Sequence, residues 1–404
     1  MTDFQPRIVR LVLCTPDGYV FGKLPPIKIE LPWWQEVAPV VAAIRARDNI
    51  AVTILRLLET QDPTPHGGGV TYLAEVPEAF PCDPCDMLLE DDPHRLPYAK
   101  PGGPARDLAW AHAQLKIQGQ ELIDPPQQMR SWNLSSIWRF PTNEGDAWLK
   151  VVPKFAAPEG SLLEHLAPAP VPGLIAIDGQ RMLTRAIPGT DRYDAGPQEA
   201  RRMIDLLVNL QTSQISQTGK LLALGLPDWR KDAAINHIHT LIERIAPQLP
   251  VQTAAPLARF VHTLDQRFEA LEACGLPDTL VHGDFHPGNL RGAADNLVLL
   301  DFADALLGHP LIDMPAFMAH MEITDLNTLE AHWFDRWQQA VPGSNPVQAA
   351  LLIAPIAAAR QACLYQHFLD NIEDSEQPYH RGDPQDWLQR TAAIVMNESN
   401  APFG

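Results

Sequence analysis

Two hydrophobic periods divide the chain. The first stretch alternates in twos: "RIVRLVLC" reads as a strand and "TPDGYVFG" as a turn with a returning strand. "WWQEVAPVVAAIRARDN" has helical spacing, and "AVTILRLLE" and "VTYLAEV" read again as strands. Residues 1–80 therefore form a small α+β unit. Prolines and acids dominate 81–103, which reads as a linker. A helix at 104–118 opens the next unit. There "SSIWRFPTNEGDAWLKVVP" is a hairpin pattern about Asn143 and Gly145, "EGSLLEHLA" a short amphipathic helix and "GLIAIDGQRMLTRAIPG" two further strands. From about 195 the period becomes helical, and "EARRMIDLLVNLQ" puts Met203, Leu206, Leu207 and Leu210 on one face. The pattern predicts a strand-rich small lobe over 104–187 and a helical lobe over 188–404. The most apolar helix, "VQAALLIAPIAAARQACLY", contains Gln348, Pro355 and Arg360 and reads as buried.

Inside the helical lobe one polar cluster interrupts the pattern. "LVHGDFHPGNL" (280–290) is led in by Leu280 and Val281 and followed by the apolar run "LVLLD" (297–301), so it sits between strands, where scaffolds present reactive groups. Asp284 precedes Asn289 by five residues, and a hairpin turning at "GAADN" brings Asp301 back beside Asn289. Phosphoryl transfer asks for this set: an aspartate to orient an acceptor hydroxyl, and an amide and a carboxylate oxygen for magnesium, a hard cation.

"LVHGDFHPGNL…LVLLDFADALLGHPLIDM" strongly resembles the aminoglycoside phosphotransferase and choline kinase branch of the kinase-like fold, over roughly 125–400 and most securely 280–315. The resemblance implies an α+β, bilobal kinase-like fold. It implies Asp284 as the catalytic aspartate, Asn289 and Asp301 as metal ligands, and ATP or GTP with Mg2+. It implies Lys150, on the strand "AWLKVV", as the phosphate-gripping lysine, with Glu159 as its partner and Glu164 as the competitor. The chain departs from the family at "GHP", where His309 stands for the usual Asp, but keeps Asp313, mostly structural in the family. It departs again at the nucleotide-covering loop, "QMRSWNLSSIWRF", which has no glycine; Ser135 and Ser136 are the substitute donors.

His282 and His286 read either as structural histidines bonding nearby backbone or as catalytic groups. Asp304 reads equally as a site-facing acid or a helix-start acid. The acids of "FLDNIEDSEQPYH", among them Asp370, Glu373 and Glu376, are candidates for a cationic or polyhydroxylated acceptor, or a solvated acidic loop. The first 80 residues resemble a Nudix domain whose metal-binding glutamates are missing, since the aligned stretch reads Ala42-Ala43-Ile44-Arg45-Ala46-Arg47-Asp48-Asn49. A hydrolase centred there is thereby disfavoured.

The formal net charge of -18 argues against a nucleic-acid partner, because phosphate neutralisation needs clustered Lys and Arg. No run of about 18 apolar residues suits a membrane, and the N-terminus lacks a signal-peptide pattern. Five scattered cysteines point to a reduced, cytoplasmic setting, and "CDPC" lacks the second pair a zinc site needs. The expectation is a small-molecule O-phosphotransferase. The alternative is a non-catalytic nucleotide-binding module, a pseudokinase.

Overall fold

A computed structural model describes residues 5–61, 66–293, 296–321 and 326–400, with side-chain surroundings given as far as 398. It divides into two compact units. One comprises Met1–Gly160, Gly173–Ala186 and Phe368–Arg381; the other comprises Ser161–Pro172, Ile187–His367 and Gly382–Gly404.

The first unit holds two five-stranded sheets. In the N-terminal sheet β1 (Arg7–Cys14) pairs antiparallel with β2 (Val20–Ile29), and β3 (Thr53–Thr60) pairs antiparallel with β4 (Gly68–Glu75). β4 runs parallel to β1, and a short β5 (Asp83–Pro84) completes the order β3-β4-β1-β2-β5. The α1 helix (Ala38–Asp48), between β2 and β3, buries Val40 and Ile44 against Val9, Leu11, Ile54 and Tyr72. The period-two pattern of β1 buries Val9, Leu11 and Leu13 on that face.

After α2 (Gly103–Ile117) the second sheet begins: β6 (Gln127–Trp132), β7 (Ser135–Phe140), β8 (Ala147–Val151), then α3 (Pro158–Leu166), β9 (Leu174–Asp178) and β10 (Arg181–Arg185). Its order is β6-β7-β8-β10-β9, antiparallel throughout. Leu115 of α2 packs on Trp138, Phe140, Leu149 and Leu183 of this sheet.

Both sheets, over the expected 1–80 and 104–187 units, lie in one compact unit, and residues 368–381, expected in the helical lobe, belong to it as well. The reason is chemical: Tyr379 packs in the N-terminal core, edge-on to Trp34 with ring centroids 5.5 Å apart, and Glu376 bonds β3.

The second unit is mostly helical: α4 (Pro197–Gln214), α5 (Thr218–Ala223), α6 (Lys231–Ile245), α7 (Val251–His262), α8 (Leu264–Ala273), α9 (Met314–Ala319), α10 (Leu326–Ala340), α11 (Pro346–Leu369) and α12 (Asp383–Asn400). Two small sheets are set among these helices. β11 (Thr190–Asp191) pairs with β13 (Leu290–Ala293), which pairs with β14 (Asn296–Leu299); β12 (Thr279–Val281) pairs with β15 (Leu306–Gly308). Residues 294 and 295 of the expected hairpin turn lie outside the described residues. Among the described residues one helix, α11, is long and apolar enough to cross a membrane; it carries the buried Arg360 and lies largely inside the fold.

Candidate active site

The candidate residues form two polar groups, one in each unit. In the first, Lys150 projects from β8, whose neighbours Leu149 and Val151 are buried. Its Nζ lies 3.0 Å from Oε1 and 2.8 Å from Oε2 of Glu159, in the first turn of α3. Glu159 is only 3% exposed, so an ion pair held out of water fixes the lysine's direction. Glu164, the competing partner, is exposed.

In the second unit the loop after β12 is built around two supports. Asp313 is buried and accepts from three donors: the backbone N–H of His282 (2.9 Å), that of Gly283 (2.7 Å) and the Gln211 amide (3.0 Å). Burial pushes its carboxyl up to about 7, against the pull of those N–H groups and of Arg360. Arg360, 3% exposed within α11, donates to the carbonyls of Gly283 and Asp304, both at 2.8 Å. Gly283 has φ +86, and a Cβ there would sit 2.1 Å from the Asp304 carbonyl oxygen. Only glycine fits. Phe285 anchors the next position, stacking on Phe317 at 4.9 Å and meeting Trp333 edge-on.

The histidines are sorted by their hydrogen bonds. His282 is buried beside the Phe302 ring; its Nε2 meets the Leu300 carbonyl at 2.8 Å and its Nδ1 accepts from Asp284 N–H at 3.3 Å. Burial lowers its pKa, so it is a neutral structural tie. His286 accepts from Gly288 N–H at Nδ1 (3.0 Å), which leaves Nε2 as the protonated nitrogen, 3.5 Å from Asp284 Oδ2. His309 caps the turn after β15, accepting from Leu311 N–H at Nδ1.

Asp284 therefore faces donors. Partial burial would raise its pKa, but the His286 hydrogen bond and charge, His282 and the Asn289 amide overcome it and hold the carboxyl at about 2. Asn289 Nδ2 donates to the Asp284 carbonyl (2.8 Å) and to Oδ2 (3.0 Å). With the nitrogen so engaged, Oδ1 is the atom left to face a cation. The β13–β14 ladder registers Leu290 with Leu299, and one step beyond, Leu300 N–H donates to the Asn289 carbonyl at 2.7 Å. Asp301, the next residue, is turned by φ +59, a left-handed conformation rare outside glycine. Strained backbone of this kind is stored where a side chain must be aimed. Among the described residues no group of three or more His, Cys, Asp or Glu side chains forms a metal cage. One amide and one carboxylate oxygen nevertheless fit magnesium, which keeps waters and phosphate oxygens in its shell.

The remaining candidates fall elsewhere. Ser135 and Ser136 are buried, and their hydroxyls accept from the indoles of Trp132 (3.0 Å) and Trp138 (3.1 Å). Both hydroxyl oxygens are thus turned toward the indoles. Glu373 and Glu376 form neither an acceptor site nor a solvated loop. Glu373 is buried between Arg95 (2.9 Å) and Arg56 (3.6 Å); Glu376 accepts from Leu57 N–H (2.8 Å) and the Asn133 amide (3.2 Å). Asp370 is exposed at the end of α11. Asp304 stands in a turn before β15, not at a helix start, and its carbonyl takes Arg360. Arg360 and Gln211 were not singled out as supports of the site. The signal was present in Arg360, a lone cation in the most apolar helix, because a buried charge must find partners.

A model of the phosphotransferase enzyme family matches residues 131–350, more than half of the chain. The chain belongs to the phosphotransferase enzyme family. The solved structures agree on the fold of this phosphotransferase. Choline kinase LicA from Streptococcus pneumoniae aligns at 13% identity and TM-score 0.51, over 72% of this chain and 99% of its own. A choline/ethanolamine kinase family protein from Mesorhizobium loti gives 15% and 0.50, over 72% and 98%. A putative aminoglycoside phosphotransferase from Ralstonia eutropha gives 14% and 0.50, over 72% and 98%. Comparison with curated proteins gives no match.

Proposed function

We propose that this phosphotransferase moves the γ-phosphate of ATP or GTP to a hydroxyl of a small, cationic or polyhydroxylated molecule: an antibiotic, amino alcohol, sugar or related metabolite. The observation that supports it best is the linkage of Asp284 to Asn289 beside Asp301, built on a loop that Asp313 and Arg360 hold. Asp284 orients the acceptor hydroxyl. Its carboxyl, held low, is ionised and ready to accept a hydrogen bond; it is a weak base, so orientation is its main contribution, in keeping with a loose transition state. Lys150, steadied by Glu159, binds the nucleotide phosphates. Asn289 Oδ1 and Asp301 would hold magnesium, which when bound neutralises charge on those phosphates. A net charge of -18 suits a cationic acceptor by long-range attraction. The five free cysteines fit a cytoplasmic setting. The Nudix-like stretch, without metal carboxylates, serves as scaffold.

The test is magnesium-dependent nucleotide binding and transfer, wild type against Asp284→Ala, on aminoglycosides, other hydroxylated antibiotics, choline, homoserine and simple sugars. Transfer lost in the variant with nucleotide binding kept is the expected result. The glycine-free covering hairpin favours a second reading, a non-catalytic nucleotide-binding module; binding without transfer to any acceptor would select it. A folded protein that binds no nucleotide would end both.

A further inference from the structure

The β6–β7 hairpin occupies the place of the nucleotide-covering loop, one strand removed from Lys150: Ile137 of β7 registers with Lys150 of β8. In kinase-like folds this loop draws its close approach to phosphate from glycines. Here its tip is Asn133-Leu134, and neither residue takes a positive φ; among described non-glycine residues only Asn49 and Asp301 do. A two-residue hairpin closes unaided through a primed turn, which needs positive φ. This one lacks that turn and is flanked by contacts from outside its own sheet.

Those contacts run the length of β6, an edge strand of its sheet. Gln128 bonds both the N–H (2.8 Å) and the carbonyl (2.7 Å) of Ile54. Met129 C=O accepts from Val37 N–H, and Arg130 pairs with Glu36. Ser131 donates its N–H to Gln35 C=O and its hydroxyl to Leu55 C=O, both at 3.1 Å. Trp132 C=O takes the Tyr98 hydroxyl (2.8 Å). At the tip, Asn133 is 4% exposed, giving its amide N–H to Glu376 (3.2 Å) while its oxygen meets His380 Nε2 (3.1 Å). Glu376 in turn takes Leu57 N–H of β3, and Tyr379 packs on both Trp34 and Trp132. The groups of Gln128, Met129, Arg130, Ser131 and Asn133 are satisfied from the β1–β4 region or from 368–381, and the Trp132 carbonyl by Tyr98.

We infer that the N-terminal sheet and residues 368–381 hold the nucleotide-covering hairpin in place and so set nucleotide affinity, with Glu376 and Asn133 as positioning residues. The inference rests on the phosphotransferase reading above. The physical reason is preorganisation: a loop ordered before the nucleotide arrives spends no binding energy on being ordered. The N-terminal sheet, which needs no active site of its own for this, then has a role in the kinase chemistry.

The test uses full-length protein. Mg-ATP dissociation constants are measured for wild type, Glu376→Ala, Glu376→Gln and Asn133→Ala, with amide exchange followed over 131–137. Leu257→Ala, buried in α7 of the second unit, controls for lost stability. Glu376→Ala and Asn133→Ala should speed exchange across the hairpin and weaken Mg-ATP about tenfold or more (a shift of about 1.4 kcal/mol). Glu376→Gln, which keeps an oxygen for Leu57, should recover part of the loss, and Leu257→Ala should leave affinity alone. Asn133→Ala preserves the Glu376–Leu57 bond, so it keeps the test available if Glu376→Ala does not fold. Faster exchange with unchanged affinity overturns the inference. So does an equal loss of affinity in Leu257→Ala. Failure of the wild type to bind either Mg-ATP or Mg-GTP removes the phosphotransferase reading itself, whereas wild-type binding that both tip variants retain removes only the hairpin's role.

Discussion

Single residues of the catalytic loop have little freedom. Gly283→Ala must meet the Asp304 carbonyl and hold φ +86 with a side chain. A loss of roughly 1–3 kcal/mol in urea unfolding is expected, with transfer abolished. Asp313→Asn replaces one acceptor oxygen by a donor facing N–H groups that already donate. It should cost about 1–3 kcal/mol and cut transfer more than Mg-ATP affinity, because it disturbs the loop and leaves Lys150–Glu159 intact. Steady-state kinetics beside calorimetric nucleotide binding separates the two effects. Asp284 and Asn289 were legible in the sequence because their spacing survives any rearrangement of distant helices. The inward turn of Ser135 and Ser136 was not, because strand residues alternate faces and nothing local says which indole an individual hydroxyl will meet.

Elements explain why these residues stay in place. The helix α11 is apolar enough to be mistaken for a span, yet it delivers Arg360 to two loop carbonyls. Arg360→Met keeps the stem and removes the donors, leaving the Gly283 and Asp304 carbonyls without them. We expect a loss of roughly 3 kcal/mol and a larger loss of transfer than of nucleotide binding, read by thermal unfolding and kinetics together. The β8 strand and α3 were readable from alternation and amphipathicity, and Lys150 and Glu159 with them. The burial of Glu373 and Glu376 is not legible in the sequence, because these acids sit in a polar, turn-like stretch. Burial there is conferred by Arg56, Arg95, Leu57 and Asn133, which come from distant stretches of chain.

Across the whole molecule, buried ionisable groups set opposite pH slopes. Burial pushes the His309 imidazole down to about 3. Its folded pKa lies below the unfolded 6.5, so its contribution is present above pH 6.5 and is lost as pH falls toward 3. His309→Asn keeps a capping oxygen and should be less sensitive than wild type between pH 7 and 5, by about 2 kcal/mol at pH 5. Burial pushes Glu376 up to about 8, the larger effect against the N–H groups of Leu57 and Asn133. Its folded pKa lies above the unfolded 4.5, so its contribution is present below pH 4.5 and is lost as pH rises toward 8. Glu376→Gln should flatten that slope; urea unfolding midpoints taken from pH 5 to 9 measure it. By itself the sequence determined the order of strands and helices, the phosphotransferase motif and the spacing of Lys150, Glu159, Asp284, Asn289 and Asp301. These are local facts, fixed by the period of the pattern and by a few residues of separation along one hairpin. Only the tertiary structure decided that the N-terminal sheet shares a body with the second sheet, that 368–381 closes onto it, and that Arg360 and Asp313 carry the catalytic loop. Those depend on contacts between residues dozens to hundreds of positions apart, where burial, not local propensity, chooses each polar group's partner.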